Sequence, residues 1–365
     1  MAANKRVFYA IHKAGVAPIG SDQYQTIHGL QSIGITTTFN LEQVFELGQL
    51  AVYENIEGIP DVEVTCEKLL DGWCPVYLLV TQSDESGVAT PAPTLVGRSN
   101  SQCIVGMGIF PDEQSSSSGV PVSEVHMSGL FISSFGYEVS VDGNATESTT
   151  LVGNNKIWVG TNGEALGDFV DGTHGDGTSS ITDNTDKPYS IGTSGGVNRR
   201  ADILFGSGSL NSWLPGDIPG LTLNSSKYWN VLSGGEYGAH IQRVSVNVDL
   251  GREDMFELGQ RAAYHKYVNF PVEVTSEYGI ISVSGDMVSA LENGLSDGLN
   301  LTDRSAKIFM REGLQVDLGD RNKLSSVGMT GGDTSGGNQE VSYSYTNFND
   351  CTVQHPQDVV VALQP

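Results

Sequence analysis

The sequence predicts an all-β protein made of two tandem antiparallel β-sandwiches, each with a short flanking helix, and a Gly/Ser/Asp-rich segment between them. Three observations lead to this prediction. A pattern of roughly 110 residues occurs twice in the 365-residue chain. Apolar and polar residues alternate with a period of two in both copies, as in strands that have one packed face. Forty-five glycines and few long apolar runs favour strands and turns over helices.

The repeat is clearest in one pentapeptide. Phe45-Glu46-Leu47-Gly48-Gln49 recurs unchanged as Phe256-Glu257-Leu258-Gly259-Gln260. Further matches are 30–33 with 241–244, 59–60 with 270–271, 62–67 with 272–277, 123–129 with 325–331, and 138–140 with 340–342. Two near-equivalent copies in one polypeptide suit a closed ring better than a site for one substrate.

Each copy is expected to open with an alternating strand, at 33–37 in the first copy and 244–248 in the second. A helix-prone stretch follows, at 41–47 and at 252–258. The candidate helix caps are Asn40 and Asp249. These stretches supply the predicted flanking helices.

The next segment of each copy alternates most cleanly and predicts a strand with one buried face. The inward residues are expected to be Val62, Val64, Cys66, Val272, Val274 and Ser276. Later strands are expected at 101–110, 123–132 and 136–142 in the first copy, and at 305–311, 323–330 and 339–346 in the second. Together these strands predict two antiparallel sandwiches.

The elements divide the chain into five ranges. They are an N-terminal arm (1–27), a first sandwich (28–145), a connector or insertion (146–238), a second sandwich (239–350) and a C-terminal arm (351–365). The connector has no duplicate, yet it contains Trp158, Trp213 and Trp229. So many aromatic residues predict a segment that docks on the sandwiches rather than a free linker.

The formal net charge of −24 restricts the possible partners. A field of that sign repels nucleic acid and disfavours a DNA-reading role. A channel that passes DNA without holding it would also be acidic on its inner face. The simpler alternative is a solvated acidic surface that keeps the protein soluble.

The cysteines predict neither a metal site nor disulfides. Cys66, Cys74, Cys103 and Cys351 have no metal-like spacing, and Ser276 replaces Cys66 in the second copy. We therefore expect free, buried thiols. Because no secretory signal or membrane span is recognisable, we expect the chain to fold in a cytoplasm.

No group of residues predicts catalysis, a cofactor or a metal ion. The glycine-flanked Ser335 lacks a recognisable His/Asp pair, and a hairpin turn is favoured at 332–337. His126 aligns with Gly328 in the other copy, which excludes a repeated catalytic role. Oxygen donors for calcium occur at Asp168, Asp171 and Asp176, beside His174, but no calcium-binding spacing is present and a polar surface loop is favoured.

The copies differ in charge at equivalent positions. The pairs are Leu41 and Arg252, Leu50 and Arg261, Glu54 and His265, and Asn55 and Lys266. Copies that alternate around a ring contact only each other, so complementary charges would set their order. We predict contacts between copies that involve Glu54, Glu57, Arg252, Arg261 and Lys266, with a glutamate of one copy near Arg261 or Lys266 of the next. Independent surface drift is the alternative.

The second copy resembles the core of tailed-bacteriophage tail tube (major tail) proteins, through 246–275, 317–327 and 341–350. The first copy carries the same pattern more loosely, through 39–49 and 62–65. The resemblance implies a sandwich with a flanking helix, whose inner sheet lines a tube built from stacked rings of six domains. A chain with two such domains would form trimeric, pseudo-sixfold rings. The long middle segment departs from the family pattern.

The resemblance also implies the partners and the location. The partners would be further copies of the chain, an initiator or baseplate protein, a terminator and a tape measure protein. DNA would pass through the lumen without specific binding, and no enzyme activity, cofactor or membrane would be involved. The protein would belong to the virion tail and assemble in the host cytoplasm. The alternatives are a virion decoration or capsid-surface protein, and a carbohydrate-binding β-protein that uses the aromatic residues of the connector.

Overall fold

The structure of the chain is a computed structural model. It describes residues 12–21, 23–83, 91–110, 121–160, 168–170, 197–200, 203–204, 239–259, 263–282, 303–304, 306–310, 313–331 and 338–355. No helix in these ranges is both long enough and apolar enough to cross a membrane.

The described elements are mainly strands, and the all-β prediction is confirmed. The first part contains β1 (His12–Pro18), β2 (Gln23–Thr26), β3 (Leu30–Thr38), β4 (Leu41–Phe45), β5 (Val52–Glu57), β6 (Asp61–Leu69), α1 (Val76–Val80), α2 (Leu95–Arg98), β7 (Gln102–Ile109), β8 (Ser123–Ser140), β9 (Thr146–Gly153), β10 (Ile157–Gly160), β11 (Asp168–Val170) and β12 (Ile203–Leu204). The second part contains β13 (Ala239–Asp249), β14 (Arg252–Met255), β15 (His265–Val268), β16 (Glu273–Ser282), β17 (Lys307–Met310), β18 (Gln315–Asp317), β19 (Lys323–Thr330), β20 (Glu340–Phe348) and β21 (Thr352–Gln354).

One antiparallel sheet runs through both copies, and we call it the main sheet. Its strand order is β3–β6–β9–β8–β13–β16–β20–β19. The first four strands belong to the first copy and the last four to the second. Strand β8 joins β13 edge to edge, so the sheet crosses from one copy to the other without interruption.

A second layer of strands covers one face of the main sheet. In the first copy it contains β7, β1, β2 and the first half of β8, and in the second copy it contains β17, β18 and β21. Val64 and Val246 of the main sheet share one hydrophobic core with Val105 and Val316 of the second layer. The predicted inward residues of β6 and β16 are all buried, so the alternation was interpreted correctly.

The expected flanking helices at 41–47 and 252–258 are wrong. Both stretches begin with a strand, and each strand pairs with the next one to form a hairpin, β4 with β5 and β14 with β15. The apolar residues Leu41, Val44 and Leu47 have helical spacing, but they lie on an exposed ribbon rather than against a core. The described helices are α1 and α2, which both lie in the first copy.

Strand boundaries also differ from the expectation. The two strands expected at 123–132 and 136–142 are a single strand, β8, whose first half pairs with β7 and whose second half pairs with β9 and β13. Strand β9 falls in the range assigned to the connector, yet it pairs with β6 and β8. Strands β1 and β2 fall in the range assigned to the N-terminal arm, yet they join the second layer.

A buried carboxylate ties α1 to the main sheet. Glu147 of β9 accepts hydrogen bonds from the backbone N–H groups of Val76, at 2.7 Å, and Tyr77, at 2.9 Å. The hydroxyl of Tyr137 donates to the same carboxylate at 3.3 Å. Burial raises the pKa of Glu147 above its ordinary value of 4.5, and the backbone hydrogen bonds oppose this shift.

We expect Glu147→Gln to gain stability relative to the parent as the pH rises from about 4 to 7. The folded parent holds the Glu147 proton more tightly than the unfolded chain does. This contribution is therefore fully present below the unfolded pKa and is lost as the pH rises through the folded pKa. Urea unfolding of both proteins across this range measures the difference. A pH-independent difference would contradict the assignment.

Candidate assembly surfaces

The contact between the two copies, which we call the junction, centres on the pairing of β8 with β13. The register runs from Ser134 opposite Asp249 to Ser140 opposite Arg243. The backbone N–H of Leu250 extends it by donating to the carbonyl of Ser133 at 2.8 Å. Backbone hydrogen bonds between edge strands are a general mode of β-sheet assembly.

Gly136 allows the close approach of β13. A Cβ atom at this position would lie 2.6 Å from Oδ1 of Asn247 and 3.1 Å from the carbonyl oxygen of Val246. The Asn247 side chain would have to move, and the backbone of β13 would have to shift by a few tenths of an ångström. A side chain at position 136 would therefore strain the junction.

Arg252 fastens the β14–β15 hairpin to the first copy. Its guanidinium donates to the carbonyl of Lys266 at 2.8 Å, to that of Ile132 at 2.5 Å and to that of Ser99. The guanidinium carbon lies 4.7 Å from the ring centroid of Phe131, a cation–π arrangement. Burial lowers the pKa of Arg252 to about 9, so that the side chain still carries its charge at neutral pH.

The other predicted contact residues are placed differently. The ammonium group of Lys266 is mostly buried and lies 2.6 Å from Asp254 of its own hairpin, so it is not available to a glutamate of another copy. Glu54 and Glu57 lie on the exposed strand β5. Arg261 falls outside the described residues.

Similar register shifts occur in both parts of the main sheet. The pairing of β3 with β6 shifts between Leu30 and Ser32, and that of β13 with β16 shifts between Ile241 and Arg243. These are positions that the sequence repeat also matches. The hairpins agree as well, because Leu41 lies opposite Glu57 and Arg252 lies opposite Val268.

A further shift corrects the alignment of the later strands. The pairing of β8 with β9 shifts between Ile132 and Ser134, and that of β19 with β20 shifts between Leu324 and Ser326. Aligning the two shifts matches the second half of β8 with β19 and Gly136 with Gly328. The sequence matches of His126 with Gly328, of 123–129 with 325–331 and of 138–140 with 340–342 are therefore displaced. The match of 62–67 with 272–277 is displaced by two residues, because Glu67 lies opposite Ser32 and Gly279 lies opposite Arg243.

The main sheet ends in two open edges. Among the described strands, β3 pairs only with β6, and β19 pairs only with β20. The sequence repeat aligns β3 with β13, and the shared register shift aligns β19 with β8. The open edges therefore belong to the strands that align with the two strands of the junction. At Gly328 of β19, an added Cβ would meet no atom within 4 Å.

The β4–β5 hairpin exposes apolar side chains. All six residues of β5 are exposed. The exposed large apolar residues of the hairpin and its base are Phe39, Leu41, Phe45, Leu47, Leu50, Val52, Tyr53 and Ile56. An isolated two-stranded ribbon is marginally stable in water, and a contiguous apolar patch of this kind is typical of an interaction surface.

The face of the main sheet opposite the second layer is polar and acidic. Its carboxylates are Asp61, Glu63, Glu67, Glu138, Asp249, Glu273, Glu277 and Glu340. Its described cations are Arg243, 2.5 Å from Glu277, and Lys323. A groove of about 570 Å³ crosses this face beside the junction, with Ser, Thr, Glu and Arg side chains along it. We call it the acidic face.

The described residues contain no group of three or more His, Cys, Asp or Glu side chains placed to hold a metal ion. The four cysteines are free and buried, as expected. His126 lies between Tyr24, whose hydroxyl is 2.8 Å from Nδ1, and Glu124, which is 3.0 Å from Nε2. Asp171, His174 and Asp176 of the suggested calcium loop fall outside the described residues, as does the side chain of Asp168.

No protein-family model matches the sequence, and no curated protein matches it. Among solved structures, the chain is similar to the tube-terminating cap of the anti-feeding prophage, with a TM-score of 0.32, 8% identity, and 44% of this chain and 95% of that chain covered. It is similar to a chain of the anti-feeding prophage baseplate, with a TM-score of 0.32, 12% identity, and coverage of 43% and 98%. It is also similar to a chain of the sheath–tube complex of an extracellular contractile injection system, with a TM-score of 0.30, 11% identity, and coverage of 44% and 95%.

Proposed function

We propose that this chain is the structural protein of a tail tube. Three copies close into a pseudo-sixfold ring, and the rings stack into a hollow cylinder through which DNA passes. The observation that carries the proposal is the junction of β8 with β13, together with the outer edges of β19 and β3, which are open among the described strands. The resemblance of both copies to tail tube proteins supports the same function.

The junction supplies the rule for assembly. If β19 of one chain pairs with β3 of the next chain, as β8 pairs with β13 within a chain, the main sheet continues from molecule to molecule. Exposed strand edges promote uncontrolled association, and a closed ring removes them. Two domains on one chain also place half of the ring contacts within a molecule, where the effective concentration is high. Each ring contains three chains because the family that this chain resembles builds rings of six domains, and each chain here supplies two.

The acidic face lines the bore in this arrangement. Carboxylates repel the phosphates of DNA, so a genome slides through the bore without being held. The cylinder surrounds the DNA without recognising its base sequence. No bond is made or broken in this role, and we therefore propose no catalytic residue, cofactor or metal ion.

The hairpin tips provide a second type of contact. Leu47 and Leu258 occupy the same position in the repeated pentapeptide, and both are fully exposed. Burial of a leucine side chain contributes about 1.5–3 kcal/mol. We propose that these tips pack against the next ring of the stack. At the ends of the cylinder, baseplate and terminator proteins would cover them instead.

Electron microscopy and native mass spectrometry of the purified protein test the proposal. The expected result is hollow rods of uniform diameter, or rings with three times the chain mass of 38.9 kDa. Trimers that polymerise only on a capsid lattice would support a decoration protein instead. Monomers whose melting temperature rises with a saccharide would support the carbohydrate-binding alternative.

A further inference from the structure

We infer that Glu54 of one chain and Lys323 of the next form an ion pair that holds neighbouring molecules together and sets the order of the copies. The inference rests on the proposed ring. We call the contact between molecules the seam, in which β19 of one chain meets β3 and the β4–β5 hairpin of the next. At the junction, the uncharged residue Phe131 occupies the position that Lys323 occupies at the seam.

The register of the strands identifies the residues that meet at the seam. The shared shift in β8 and β19 makes Phe131 equivalent to Lys323. The shared hairpin register makes His265 equivalent to Glu54, because His265 lies opposite Met255 as Glu54 lies opposite Val44.

At the junction, Phe131 is contacted by two positions of the β14–β15 hairpin. The ring of His265 lies edge-on to it, with 5.3 Å between the ring centroids. The guanidinium of Arg252 lies over it at 4.7 Å. Position 131 is therefore the receiving site for hairpin positions 252 and 265.

At the seam, the residues at all three positions differ from those at the junction. Lys323 occupies the receiving site in place of Phe131, and Leu41 and Glu54 occupy the hairpin positions of Arg252 and His265. The same geometry brings the Glu54 carboxylate to the Lys323 ammonium and lays Leu41 along the lysine stem. In the single chain, Lys323 is 61% exposed and lies 3.5 Å from Asp303, a separation typical of a loose surface pair.

The exchange of charges also disfavours incorrect assembly. If the β14–β15 hairpin docked on β19, the cation of Arg252 would meet that of Lys323. If the β4–β5 hairpin docked on β8, the carboxylate of Glu54 would meet the apolar ring of Phe131. Both contacts are unfavourable, so each hairpin has one matching site.

Charge reversal tests the ion pair. Glu54→Lys and Lys323→Glu are each expected to weaken the association constant between chains at low salt about tenfold, a change of about 1.4 kcal/mol. The double variant, which restores opposite charges, is expected to recover assembly. The control is Glu42→Lys in the same hairpin, because its counterpart Glu253 contacts Asn269 of its own copy. Sedimentation and electron microscopy measure assembly, and thermal melting verifies the fold of each variant.

The outcomes separate the ion pair from the proposed function. If the parent and both single variants assemble equally well, the inferred ion pair is wrong and the proposed ring is not contradicted. Single variants that fail without rescue by the double variant also contradict the pair. If the parent itself forms neither rings nor rods, the proposed function fails.

Discussion

Arg252→Ala is expected to lower the free energy of unfolding by about 3 kcal/mol. The substitution leaves the carbonyl groups of Ser99, Ile132 and Lys266 without their charged donor and removes the cation from the ring of Phe131. Arg252→Lys should recover only part of the loss, because an ammonium cannot reach three separated carbonyls in the plane of a guanidinium. Urea unfolding of the single chain measures both variants.

The matched control is Arg321→Ala, at an exposed arginine in the turn before β19. It removes the same charge and should change the free energy of unfolding by less than about 0.5 kcal/mol. Equal effects of the two substitutions would show that Arg252 acts only through net charge. That result would remove its role as a fastening between the copies.

Gly328→Val is expected to abolish assembly while leaving the single chain folded. A Cβ atom added at position 328 meets no atom within 4 Å in the chain itself. At the seam, Thr36 of the next molecule would take the place that Asn247 takes against Gly136, and a valine at 328 would collide with it. Thermal melting of the single chain and sedimentation of the assembled protein measure the two effects.

Gly136→Val is the equivalent substitution at the junction within the chain, and it should act on the folding of the single chain instead. Its Cβ would lie 2.6 Å from Asn247, so the variant should lose about 1–3 kcal/mol of folding stability. If Gly328→Val assembles normally, β19 is not covered by a neighbouring strand. If Gly328→Val unfolds the single chain, Gly328 does not lie at an open edge.

Period-two alternation was enough to predict β6 and β16 of the main sheet, whereas β9 was assigned to the connector and β8 was expected as two strands. Val62 and Val64 alternate with outward carboxylates because one face packs and the other is wet, and this constraint is local. The hairpin β4–β5 violates the same logic. Its apolar residues face a surface that the single chain does not fill, so the pattern of Leu41, Val44 and Leu47 resembles a helix.

The contacts between copies were only partly predictable. Comparing the copies identified Arg252 as a charge that the first copy lacks, but its acceptors are backbone carbonyls, which have no signature in a sequence. Lys266 was matched to a distant glutamate, whereas Asp254 is its neighbour across the hairpin. Lys323 was missed because sequence similarity aligned β19 with the wrong half of β8. The register shift at Ile132 and Leu324, visible only in strand pairing, corrects that alignment.

Cross-linking across the seam tests the assembly rule most directly. Asp249 lies opposite Ser134 at the junction, so Thr38 should lie opposite Ser326 of the next molecule. In the variant Thr38→Cys/Ser326→Cys, a short bismaleimide should join chains only through these sites, because the native thiols are buried. We predict covalent dimers and closed trimers, with neither single-cysteine variant cross-linking. Assembled particles that yield only monomers, or a ladder that continues beyond three chains, would contradict the closed three-chain sheet.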